Sequence, residues 1–176
     1  MFTIEPLTLP GVLLIKLEAA RDGRGVSLTT YSADEFSSLG IMTRFVEDYA
    51  SVSKRNVIRG LHFQKAPYAQ DKLVRCISGK IFDVVADCDP SSPTYGTYDS
   101  HILDAAEGDM LFIPGKYAHG FCVLSDEAVT EYKLGAAYHP ESAAGARFDD
   151  PRLAVAWPLE GTPVLSKKDA EWPPLP

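Results

Sequence analysis

Between Val57 and Gly135 the chain is a succession of short β-rich runs broken by turn signals, and this restricts the fold more than any other feature. "VIRGLHFQ", "DKLVR", "KIFDVVADCD", "SPTYGTYDSHIL", "DMLFIP", "GFCVL" and "AVTEYKLG" read as strands, the later ones separated by "AAEG", "GKYAH" and "SDE". Many short strands at such spacing predict an all-β sandwich or barrel. Ser78 and Gly79, lying inside "DKLVRCISGKIFDVVADCD", suit a tight turn and predict a hairpin between the two flanking runs.

Helical signals are few. "YSADEFSSLG" predicts one short helix with Ser32 as N-cap, Glu35 at the capping-box position and Gly40 just past its end. "DDPRLAVAWP" and "LSKKDA" form an irregular C-terminal segment that must pack on the barrel, because Trp157 would be costly to leave in water. With 176 residues, 45% of them hydrophobic, the chain can bury one good core, so a single domain over residues 1–176 is expected.

The formal net charge of -7 disfavours nucleic acid and anionic membranes as partners, although a few arginines can still hold a small anion. The opening "MFTIEPLTLPGVLLIKLEAAR" lacks a basic leader, and its apolar run is too short for a signal peptide or a membrane span, so a cytoplasmic protein is expected. Cys76, Cys88 and Cys122 show no metal or disulfide spacing and read as reduced, mostly buried thiols.

Strand alternation places titratable groups in rows. Gly60, His62 and Gln64 share one face of their strand, and Arg59, Leu61 and Phe63 the other. Lys72 aligns with Val74 and Cys76, Asp83 with Val85, His119 with Phe121, and Thr130 with Tyr132. If these rows line one barrel interior, two histidines, a lysine, an aspartate and a tyrosine meet there, and buried groups of this kind are costly unless paired or used. The residues alone equally fit a lysine snorkelling from a strand end and a tyrosine in the core with a satisfied hydroxyl.

The four histidines, His62, His101, His119 and His139, are scattered, and Gln64 stands where an HxH pair would need its second imidazole. No metal is therefore expected. GxSxG, P-loop and GxGxxG patterns are absent, so no cofactor is expected either, and cofactor-independent acid–base chemistry remains.

"RGLHFQ", "KLVRCISGKIFDVVAD", "SPTYG", "IPGKYAHGF", "EYK", "DDPRLAVAWP" and "LSKKD" occur in that order and together resemble the dTDP-4-dehydrorhamnose 3,5-epimerase family, from about Asp22 to about Asp169. "GDMLFIPGKYAH" also resembles the second cupin motif. The resemblance implies a cupin-type double-stranded β-helix (jelly roll) and a metal-free homodimer. Its implied reaction inverts C3, C5 or both in a nucleotide-diphosphate-linked 4-keto-6-deoxy sugar. The implied chemistry removes a proton beside the ketone and returns one to the opposite face, which calls for a base, an enolate stabiliser and an acid.

By position, the resemblance makes His62 the base, Asp169 the carboxylate that orients it, Tyr132 the acid, and Lys72 the cation beside the C4 oxygen. His119 matches an active-site histidine, which Asp83 is expected to orient unless it serves Lys72 instead. Arg24 and Arg59 match arginines for the diphosphate, and Tyr138 an aromatic beside the nucleotide base; Gln64, on the His62 row, joins the candidate binding residues.

The chain departs from the family pattern where the nucleotide is recognised. "RGVSLTT" lacks the usual aromatic and glutamate, and Glu47 and Tyr49 in "VEDYASVS" stand where glutamine and asparagine are usual. Glu47 would repel a nearby diphosphate. A CDP- or GDP-linked keto sugar or a heptose therefore stands as an alternative substrate, with a metal-dependent cupin enzyme and a non-catalytic sugar-binding module as further readings.

Overall fold

A computed structural model describes residues 2–176. Thirteen strands follow in chain order: β1 (Phe2–Pro6), β2 (Leu13–Leu17), β3 (Ala20–Asp22), β4 (Gly25–Ser27), β5 (Glu47–Lys54), β6 (Ile58–Gln64), β7 (Lys72–Ser78), β8 (Lys80–Ala86), β9 (Tyr98–Asp104), β10 (Met110–Ile113), β11 (Ala118–Val123), β12 (Glu127–Leu134) and β13 (Ala143–Gly145). Helix α1 (Ala33–Ser38) lies between β4 and β5, and α2 (Lys167–Ala170) follows β13. The predicted cap of α1 is present: Ser32 Oγ accepts from the Glu35 amide, and Gly40 takes φ +84° beyond the last turn.

Two antiparallel sheets form the body, one of order β1-β2-β10-β7-β12-β5 and one of order β13-β6-β11-β8-β9; β3 and β4 make a separate ribbon. Period-two alternation sorts their side chains into layers. Leu14, Val74, Leu111, Ile113 and Leu134 from the first sheet meet Ile81, Val85, Leu103, Phe121 and Val123 from the second in the central core. The intervening Ile15, Leu73, Met110 and Phe112 face outward and are covered by Phe36 of α1 and by Phe2 and Ile41. Leu61, Val84, Ala86 and Ala118 on the outer face of the second sheet pack under Ala146, Leu153 and Trp157. The C-terminal segment is thus seated on the barrel, as the burial of an indole demands.

The predicted hairpin at Ser78 and Gly79 is not one. β7 pairs with β10 and β12, while β8 pairs with β11 and β9, so Gly79 carries the chain from one sheet into the other. Gly79 has φ +78°, and a Cβ there would come within 2.2 Å of the Glu127 carbonyl oxygen. Turn chemistry marks where a chain reverses; it carries no information about which strand becomes the partner. "SPTYGTYDSHIL" also begins in turns and reaches the sheet only at Tyr98.

Candidate active site

The central layer is apolar along most of its length and opens at one end into a cleft of about 550 Å³, within the usual range for small-molecule sites. Its walls come from both sheets. β6 and β11 contribute Arg59, His62, Gln64 and His119; β5, β7 and β12 contribute Glu47, Tyr49, Lys72 and Tyr132.

A β-bulge sets the first wall. His62 is the register partner of His119 and Arg59 that of Phe121, so two residues of β6 oppose Gly120 alone. Backbones approach so closely here that a Cβ on Gly60 would lie 2.5 Å from the Gly120 Cα, and Gly60 takes φ +135°. The extra residue reverses the alternation. Arg59, expected on the face opposite His62, therefore lines the same cleft, its Nε donating to Ser53 Oγ at 2.9 Å.

His62 is hydrogen-bonded through Nε2 to Asp169 Oδ1. Its side chain is 42% exposed toward the cleft, whereas that of Asp169 is 6% exposed. Asp169 is held by α2, where Ser166 accepts from the Asp169 amide as N-cap. Burial pushes the Asp169 carboxyl up, but the hydrogen bond and charge of His62, with help from Ser166 and Trp172, outweigh it and leave the carboxyl below its ordinary value. The group is a carboxylate at neutral pH.

His119 takes the second carboxylate. Asp83, fully buried behind it, accepts from Nε2 at 2.8 and 3.0 Å. Burial raises the Asp83 carboxyl, and the charge and hydrogen bond of His119 offset this only in part. Of the two partners left open for Asp83, His119 is the one bonded.

Across the cleft, Lys72 is 6% exposed and its Nζ donates to the Gln70 carbonyl at 3.1 Å. Burial pulls its ammonium down to about 8, against the opposing charge of Asp71. Tyr132 is 9% exposed, its ring 5.7 Å from that of His119 and 5.7 Å from that of Tyr49. Burial, then the charges of Asp83 and Tyr49, push its phenol well above 10, so it keeps its proton through neutral pH.

Gln64 works through its neighbours: its amide donates to the Tyr68 and Ala137 carbonyls and accepts from the His139 amide, which fixes the loop carrying Tyr138. Tyr138 lines the cleft, and its hydroxyl accepts from Lys168 Nζ at 3.2 Å. Glu47 lines it as well. Arg24 stands apart, on the exposed β3–β4 ribbon, paired with Asp22 at 2.6 Å.

Phe63, Leu134, Ala143 and Ala144 line the cleft as well, and so do Gln70, Ser166, Lys168 and Trp172, four residues given no role from the sequence. Three of these four lie in the irregular C-terminal segment, where no periodicity points to a face. Among the described residues no group of three or more His, Cys, Asp and Glu side chains is arranged to hold a metal ion, and no helix is long and apolar enough to cross a membrane.

A family model described as dTDP-4-dehydrorhamnose 3,5-epimerase matches residues 6–176. The chain belongs to that family. A dTDP-4-dehydrorhamnose 3,5-epimerase of Methanothermobacter thermautotrophicus is 42% identical over 170 residues, covering 96% of this chain and 91% of the relative. A dTDP-4-dehydrorhamnose 3-epimerase of Streptomyces niveus is 40% identical over 169 residues, covering 96% and 81%. The solved structure of a 3,5-epimerase from Legionella pneumophila Philadelphia 1, in complex with dTDP-4-keto-L-rhamnose, superposes with a TM-score of 0.95 at 38% identity, covering 99% of this chain and 93% of that one. As a family member the chain is an epimerase with the family's jelly-roll fold, as the ordered motifs implied.

Proposed function

We propose that the protein inverts carbon centres beside the ketone of a nucleotide-diphosphate-linked 4-keto-6-deoxy sugar, with dTDP-4-dehydro-6-deoxy-D-glucose as substrate and dTDP-4-dehydro-L-rhamnose as product. One observation carries the reading: His62, backed by a carboxylate, lines a cleft from one sheet, and Tyr132 and Lys72 line the same cleft from the other. A sugar ring lying between the sheets would present one face to a base and the other to an acid.

In this reading His62 removes the proton adjacent to C4, and Asp169 stabilises the imidazolium that results. The negative charge moves to the C4 oxygen, where the buried Lys72 ammonium meets it in a medium of low dielectric. Tyr132, which stays protonated at neutral pH, returns a proton from the other side. C3 and C5 both flank the C4 ketone and carry their hydrogens on the same ring face in the gluco configuration, so the same groups serve the two centres in turn without the ring being turned over. Among the relatives one bears a 3,5-epimerase name and another a 3-epimerase name, so the product distinguishes inversion of one centre from inversion of two.

His119, held by Asp83, is assigned to substrate binding beside Tyr132, and Arg59 to the diphosphate, which suits its forked donors. Tyr138 is assigned to the nucleotide base. Glu47 keeps the diphosphate away from its own strand. Arg24 lies outside its own cleft, so its assignment to the diphosphate rests on a homodimer that presents the β3–β4 ribbon to a second protomer. The whole chain is taken as one epimerase domain working in the cytoplasm.

Incubation with dTDP-4-dehydro-6-deoxy-D-glucose, followed by borohydride reduction and sugar analysis, tests the reading. L-Rhamnose among the products supports it. Only D-configured sugars from the dTDP substrate, with turnover of the CDP or GDP analogue, would move the assignment to another nucleotide.

A further inference from the structure

Trp172 belongs to no helix or strand; it follows α2 and precedes Pro173 and Pro174. Its indole is nevertheless tightly placed. A Cβ on Gly145 would come within 2.5 Å of the indole Cε2 and 2.7 Å of Cδ2, so only glycine leaves room for the ring. Gly145 is the register partner of His62, and the His62 ring meets the indole edge-on with centroids 6.0 Å apart. From the other side Lys168 Nζ stands 5.2 Å from the ring centre. The indole is therefore gripped between the strand pair that carries His62 and the helix that carries Asp169.

Its N–H is buried without a hydrogen-bond partner. Proteins rarely leave such a donor unpaired unless it has a use. The carboxylate close enough to feel this donor is Asp169, whose charged form it favours although the two do not meet in hydrogen-bond geometry. His62 engages Asp169 Oδ1, which leaves Oδ2 free of that bond. A carboxylate held at one oxygen can still turn about its Cβ–Cγ bond; one held at both cannot.

We propose that Trp172 is a positioning residue: its ring, seated on Gly145, docks α2 against β6, and its indole N–H donates to Asp169 as His62 takes up a proton. The inference rests on His62 and Asp169 being the base pair of the proposed reaction. It adds an orienting group that acts on the base through the carboxylate and touches no reacting atom.

Trp172→Phe keeps an aromatic ring near Gly145 and Lys168 and removes the donor together with the five-membered ring that carries it. The Asp169 carboxyl, followed by ¹³C NMR in the absence of substrate, is expected to titrate higher in this variant. The kcat for epimerisation is expected to fall on the order of tenfold at similar KM, as for a modest misplacement of a catalytic group, with an unchanged unfolding temperature. Gly145→Ala, which displaces the ring, should produce the same Asp169 shift by a different route. Unchanged Asp169 titration in Trp172→Phe would overturn the proposal, as would a loss confined to KM, which would make the indole a wall for substrate only. The titration needs no turnover, so it judges Trp172 even if the proposed substrate fails.

Discussion

His62 and His119 face each other as direct partners on β6 and β11, yet each is tied to a different carboxylate, and the two pairs differ in access. The His62 side chain is 42% exposed to the cleft, that of His119 only 5%. Asp169 is held below the ordinary carboxyl range, whereas Asp83 is raised above it by burial. One pair opens onto the cleft. The other is enclosed behind its wall.

Replacing the two histidines by alanine should therefore give different defects. His62→Ala should lower kcat by about 10²–10⁴-fold, the usual worth of a general base, and leave circular dichroism and unfolding temperature close to wild type. His119→Ala strands Asp83 in the core and should cost about 3 kcal/mol of stability, read by urea denaturation. Equal stability losses in both variants would contradict the asymmetry.

Lys72 opposes function to stability. Its pKa is about 8 in the fold against 10.5 unfolded, so between these values the unfolded chain binds the extra proton and stability rises with pH. Below pH 8 the burial penalty is felt in full. Lys72→Met should accordingly stabilise the protein at pH 7 by about 1–3 kcal/mol while lowering kcat about 10²–10³-fold through loss of the charge facing the enolate. In the wild type, activity should decline as pH rises through about 8. A Met variant that melts earlier than wild type would contradict this account of the buried ammonium.

Tyr132→Phe separates proton removal from proton return. The variant should still exchange substrate hydrogen with solvent through His62, but the proportion of inverted product per exchange event should fall. Exchange and inversion are both read from one ¹H NMR time course. If they decline in step, Tyr132 acts before the enolate forms.

Asp169→Asn should reduce kcat about 10–10³-fold, because an amide cannot stabilise imidazolium. It also tests linkage. A carboxyl depressed in the fold contributes stability that is present above the unfolded value of 3.8 and lost as pH falls through the lower folded value. The stability difference between wild type and Asp169→Asn should thus be full at pH 6 and shrink in acid. A difference independent of pH would place the Asp169 contribution elsewhere than in its charge.

Most of the inner wall was legible in the sequence because period two holds along its strands. Lys72 with Val74 and Cys76, Asp83 with Val85, and Thr130 with Tyr132 all face inward as their spacing indicates. Arg59 was placed on the wrong face, since alternation has no way to count an extra residue; Gly60 and Gly120, each crowded by the other's backbone, are the local signs of that bulge. Gly79 marked a turn but not its destination, because pairing is decided by what the other strands bury.

The C-terminal parts of the site were harder to see. Asp169 sits on a helix of four residues, too short for a 3.6-residue pattern, and its link to His62 came only from the resemblance of "LSKKD" to a family motif. Lys168 stands in the same motif but was given no role there, and Trp172 had neither pattern nor motif; only tertiary packing against Gly145 and Lys168 reveals the indole. Glu47 was visible as a departure, and it lines the cleft.

The central claim is that a proton leaves the carbon beside the ketone and is replaced from solvent. It is tested most directly by NMR of dTDP-4-dehydro-6-deoxy-D-glucose incubated with the protein in deuterated buffer. Deuterium at C3, alone or together with C5, and its absence with His62→Ala, is the predicted result. A folded wild-type preparation that introduces no deuterium at either carbon would contradict the account.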